Sequence, residues 1–185
     1  MAAPAANEAE LEARLSLLER RVARLPDPNR LTLLIFGGDL DRLMAAFTIA
    51  SGAAASGMQV NMFFTFWGSA ALKRGGAQPS GKTLVERMFG WLLPGGLHRL
   101  PLSKLDFAGL GRALMAREMK RKGIASLPVL VEGAIESGVR VFVCEMTLDM
   151  MGIRREELID YPGLSVCGVA SFVEMAAAGN NTLFI

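Results

Sequence analysis

Val139-Arg140-Val141-Phe142-Val143-Cys144-Glu145-Met146-Thr147-Leu148-Asp149-Met150-Met151-Gly152 carries a strand, a thiol and a helix start in immediate succession. Gly138 stops what precedes it, and Val139 to Val143 is a short β-branched run, the pattern of a buried strand. Cys144 then stands at the carboxyl end of that strand, just ahead of a helix for which Thr147 is the expected N-cap. Free N–H groups and the helix dipole favour an anion at such a point, so the thiol is expected to ionise more readily than a buried one. Glu145 works against this, because an adjacent carboxylate opposes thiolate formation. A free cysteine is also, commonly, a small buried hydrophobe. The residues alone leave both readings open.

Outward from this stretch the chain alternates strand and helix. Leu31 to Phe36 reads as a first strand, and Gly37-Gly38-Asp39 turns it into a helix whose apolar face is Leu43, Ala46, Phe47, Ala50, Ala53 and Ala54. Gly57 ends that helix and Met58 to Phe66 is a second strand. A βαβ start implies parallel strands and a right-handed crossover. Ser126 opens a helix with Leu127, Leu130, Val131, Ala134 and Ile135 on one side. After the Cys144 strand come a short helix from Thr147 to Met151, a turn at Arg154 to Leu158 and a strand from Leu164 to Val169 that contains Cys167. A helix from Ser171 to Ala178 and a strand from Asn181 to Ile185 close the chain. The expected architecture is α/β, an open and mostly parallel five-stranded sheet with helices on both faces, flavodoxin-like or Rossmann-like. Such folds bind ligands beyond the carboxyl ends of the strands, near a switch point. Gly37, Gly38 and Asp39 belong there, as do Glu145, Met146 and Thr147, and they are the candidate substrate or anion contacts around Cys144.

Two segments depart from this rhythm. Residues 1–28 hold a small-residue tail and a helix, Glu8 to Leu25, with Leu11, Leu15, Leu18, Val22 and Leu25 at heptad spacing before Pro26-Asp27-Pro28 stops it. About two and a half heptads are too few for a free coil, so this helix needs either the domain surface or copies of itself. Within the α/β domain of 31–185, an insertion of about 73–125 is rich in Gly and Pro. It holds helical pieces at Thr83 to Leu93 and Ala108 to Arg121 and the apolar patch Met88-Phe89-Gly90-Trp91-Leu92-Leu93. The insertion reads as a cover over one edge of the sheet, or as a lid or partner-docking surface.

Several function classes are set aside. A net charge of +2 gives no general attraction to nucleic acid. Two cysteines without CxxC spacing and the single His98 assemble neither a disulfide scaffold nor a transition-metal cluster. No metal and no cofactor is expected. Leu43 to Leu72 is uncharged, but its Gly52, Ser56, Gly57, Gln59 and Asn61 and its change of period favour a buried helix plus strand over a membrane span. The N-terminus lacks a signal pattern, so a cytoplasmic location is expected. Gly76-Ala77-Gln78-Pro79-Ser80-Gly81-Lys82-Thr83 matches the P-loop pattern, yet a helix end and not a strand precedes it, which argues against phosphate binding.

Three blocks carry a family resemblance: Leu34-Ile35-Phe36-Gly37-Gly38-Asp39-Leu40-Asp41, Met62-Phe63-Phe64-Thr65-Phe66-Trp67-Gly68, and Cys144 through Gly152. Together they resemble the DsrE/DsrF-like family, and Met88-Phe89-Gly90-Trp91 with the Asn180 to Ile185 end resemble its longer, insertion-bearing branch. The resemblance covers about Leu31 to Ile185. It implies a cytoplasmic sulfur-relay protein, a sulfurtransferase-type homo-oligomer (trimer or hexamer), whose cysteine after the third strand, Cys144 by position, takes persulfide sulfur. The implied donor is a rhodanese-type protein or a TusA-like carrier. The alternatives to a relay are a non-catalytic oligomeric scaffold and a nucleotide- or flavin-type binder.

Overall fold

A computed structural model of the chain describes residues 3–22 and 25–185, with side chains from residue 10 onward in those ranges. Helix α1 (Ala3–Val22) is followed by β1 (Asp27–Ile35), α2 (Leu40–Ala55), β2 (Gln59–Phe64) and a short α3 (Trp67–Ala71). Then come α4 (Leu84–Leu92), α5 (Leu110–Lys122), α6 (Leu127–Glu136), β3 (Arg140–Cys144), α7 (Glu145–Met151), β4 (Ser165–Cys167), α8 (Val169–Ala178) and β5 (Gly179–Phe184). The strands form one sheet in the order β4-β3-β2-β1-β5, with every neighbouring pair parallel. The expected α/β class and open parallel five-stranded sheet are therefore observed.

Side-chain parity along the strands separates two faces. Leu31, Leu33, Ile35, Val60, Met62, Phe64, Val141 and Val143 point to one, where Leu43, Ala46, Phe47 and Ala50 of α2 and Leu127, Val131 and Ala134 of α6 close the main core. The alternate positions, Thr32, Phe63, Phe142 and Cys144, point to the other. There α8 is the covering helix: the Thr32 hydroxyl donates to Met175 O at 3.2 Å, and Phe172 packs on Phe63 with ring centroids 5.3 Å apart. Strands β1 to β4 march across the sheet in one direction, and the connection through α8 then returns to the far side of β1. The winding reverses between β1 and β5, which makes that gap the switch point.

The uncharged run Leu43 to Leu72 becomes most of α2, the buried strand β2 and α3. Among the described residues no helix is long and apolar enough to cross a membrane. The insertion of about 73–125 packs against the start of α2 and beside α7. It runs over the carboxyl-end rim: the Asp41 carboxylate accepts from Ser103 N at 2.9 Å, Leu40 N donates to Pro101 O at 2.8 Å, and α4 packs beside α7. The reason is polar. The first turn of α2 has a backbone donor at Leu40 and a carboxylate at Asp41, and the insertion supplies the acceptor Pro101 O for the one and the Ser103 donors for the other.

Tyr161 anchors the far end of β3, its buried phenol donating to Val139 O at 2.6 Å. Burial pushes its pKa up to about 12. The folded state thus holds this proton more tightly than the unfolded chain, so the contribution is complete below pH about 10 and falls as pH rises toward 12. Denaturation midpoints at pH 9 and 11.5 are expected to show this loss in the wild type, and Tyr161→Phe is expected to show less of it.

Candidate functional site

Cys144 is the last residue of β3 and the N-cap of α7, with no side-chain cap bond. Thr147 is not the cap. The helix starts two residues earlier, because Glu145 already has helical geometry, and Thr147 faces inward from its first turn. The Thr147 hydroxyl accepts from Phe66 N at 3.1 Å and shares a 3.2 Å hydrogen bond with the Thr65 hydroxyl. It thereby ties the carboxyl end of β2 to the start of α7. Phe66 needs that tie, since it is a non-glycine residue at φ 46°. Thr147→Val leaves the part-buried Phe66 N–H without this acceptor and is expected to cost about 1 kcal/mol, whereas Thr147→Ser keeps the bond. Urea denaturation midpoints of the two variants check this.

Cys144 pairs in register with Cys167 on β4, so the two thiols lie side by side on the face that α8 covers. Cys144 is 2% exposed, and Cys167 is partly open. Burial pushes the Cys167 thiol up. Neighbouring Cys144 and Glu145 add to this, against a hydrogen bond with Ser171. Glu145, Met146 and Met150 lie on the outer side of α7, with both methionines more than half exposed. Two cavities lie away from the cysteines. One of about 570 Å³ is bounded by Gln78 to Lys82 and Arg87, and one of about 560 Å³ sits between α5 and the start of α6 and includes His98.

The structure keeps Cys144, Glu145, Met146 and Thr147 together but places Gly37, Gly38 and Asp39 two strands away, with Thr65-Phe66-Trp67 between. That glycine turn is held from within. Gly37 N donates to Ile185 O at 3.2 Å, a Cβ at Gly38 would strike Trp67 O, and Asp39 pairs with Arg42 at 3.4 Å. The switch point beside it is filled by a ring row, with Phe36 at 5.1 Å from Phe66 and 6.0 Å from Phe184. The P-loop-like segment is a loop leading into α4. Thr83 forms a capping box with Glu86, and Lys82 is spent on Glu157 at 2.5 Å, with Lys73 at 3.9 Å from the same carboxylate. Sequence reasoning gave no role to Thr65, Phe66 or the Cys167 register. The T-x-x-E spacing at Thr83 to Glu86 was a readable cap signal.

A model of the DsrE/DsrF/DrsH-like family matches residues 27–184. The chain belongs to that family. Among DsrE-like relatives it is 41% identical over 157 residues to the uncharacterized protein YrkE of Bacillus subtilis, covering 85% of this chain and 97% of that one. It is 32% identical over 163 residues to the sulfur carrier protein DsrE2 of Allochromatium vinosum, covering 86% and 99%. Among solved structures it is similar to the ychN protein of E. coli at 11% identity, with coverage of 84% and 99% and a TM-score of 0.47. It is also similar to MTH1491 of Methanobacterium thermoautotrophicum, a protein of unknown function, at 14% identity, with coverage of 83% and 97% and a TM-score of 0.46.

Proposed function

We propose that this chain is a sulfur carrier of the DsrE type and that Cys144 holds the sulfur. One observation carries the reading: in a chain of this family, a cysteine ends the third strand at the start of a helix, beside a second cysteine whose own thiol burial holds protonated. The Cys144 thiolate attacks the outer sulfur of a donor persulfide. A new S–S bond forms at Cys144, the donor's S–S bond breaks, and the donor cysteine leaves as thiolate. An acceptor thiol reverses the step, so no oxidant is consumed. As N-cap of α7, Cys144 sits at the positive end of that helix's dipole, which favours the charge of a bound persulfide.

Burial of Cys144 suits the holding phase, since it keeps the persulfide from water and stray thiols. Loading and unloading then require the packing around Cys144 to open. We assign the landing surface for a rhodanese-type or other sulfur-carrying donor to Met146 and Met150, with exposed Leu84 and Met88 on the neighbouring α4. Gly37, Gly38 and Asp39 hold the adjoining turn and act on the site through Trp67. A homo-oligomer fits the open edge of β5, which is exposed from Asn180 through Phe184 and carries no charge or proline. The test is uptake of sulfur from a sulfurtransferase supplied with thiosulfate. Wild type gains it, and Cys144→Ser gains none. Equal uptake by both would end the proposal.

A further inference from the structure

Helix α1 lies outside the family-matched residues and carries an apolar seam that nothing among the described residues covers. Leu11, Leu15, Leu18 and Val22 are 54–64% exposed, and a shallow apolar groove runs along Leu11, Leu15 and Leu18. The spacing puts Leu15 and Val22 at a and Leu11 and Leu18 at d of a heptad frame. In that frame Arg14 and Arg21 occupy g, and Glu12 and Glu19 occupy e.

This charge order distinguishes the pairings. In a parallel pair g faces e of the next heptad in the other helix, so Arg14 meets Glu19 of the second copy. In an antiparallel pair g faces g and e faces e, which sets arginine against arginine and glutamate against glutamate. Among the described residues Arg14 forms an ion pair with Glu10 at 2.7 Å on the exposed side of the helix, a pair that is easily exchanged. We infer that α1 pairs in parallel with α1 of a second copy of this chain. The helix is too short to hold alone, so it acts with contacts between the α/β domains. A parallel seam relates the copies by rotation about its own axis, with their α/β domains at one end of it.

The test uses full-length protein in a glutathione redox buffer. Leu11→Cys is expected to form a covalent dimer at least about tenfold faster than Leu17→Cys, on the outer side of α1, because paired side chains meet at an effective concentration far above the bulk value. Peptide mass mapping should place the bond between the two residue-11 positions. Arg14→Glu in the Leu11→Cys chain slows the reaction, and Arg14→Glu combined with Glu19→Arg restores it. Equal rates for the two cysteine variants overturn the inference. So does faster coupling of Leu11→Cys to Val22→Cys in a mixture, the signature of antiparallel pairing.

Discussion

Glu157→Ala is expected to lower stability by about 3–5 kcal/mol, because it strips the counter-charge from two buried ammonium groups at once. The side chains of Lys73 and Lys82 are 5% and 0% exposed, and both address the Glu157 carboxylate. Lys73 has one further acceptor, Gly90 O at 3.3 Å, and Glu157 Oε2 also accepts from Arg154 N at 2.9 Å. The cluster ties the strand-side residue Lys73, the loop before α4 and the turn after α7 into one unit. Domains of this size are stable by roughly 5–15 kcal/mol, so the loss is a large part of the whole. Lys82→Met is expected to cost less, since it leaves Lys73 and Glu157 balanced. Chemical denaturation of both variants measures the order. A Lys82→Met chain less stable than Glu157→Ala would contradict the cluster as described. The same geometry explains why Gly-Lys-Thr here is a packing device: its lysine is already neutralised by protein.

The second large effect concerns sulfur. Cys144→Ser removes the atom that attacks, and serine cannot replace it, so sulfur uptake is expected to fall to the level of the untreated chain. Cys167→Ser is expected to retain uptake. Burial pushes its thiol up, with Cys144 and Glu145 adding to this, and transfer in this reading passes through Cys144 alone. Loss of uptake in Cys167→Ser alone would reverse the assignment of the two cysteines.

Much of the architecture was legible because its strands are apolar runs bounded by glycine: Leu31 to Ile35, Met62 to Phe64 and Val141 to Val143 all pair as parallel neighbours. Boundaries were less so. Leu164 to Val169 reads as a continuous strand, yet β4 spans only Ser165–Cys167, since Gly168 caps α8 and Val169 already belongs to that helix. Thr147 looked like a cap because threonine is a good one. Its real partners, Thr65 and Phe66, lie about eighty residues earlier and leave no local trace. The position of Cys144 at a strand end was readable from sequence, but its burial was not, because burial there is set by tertiary packing. The insertion's two helices were readable from period. Their place over the carboxyl-end rim was not, because it depends on the Asp41–Ser103 contact.

The measurement closest to the central claim is peptide-level mass mapping of the intact chain after loading by a sulfurtransferase with thiosulfate. One extra sulfur on the peptide containing Cys144, removed when a thiol acceptor is added, is the expected result. Sulfur found only on Cys167, or on neither cysteine, would contradict the account.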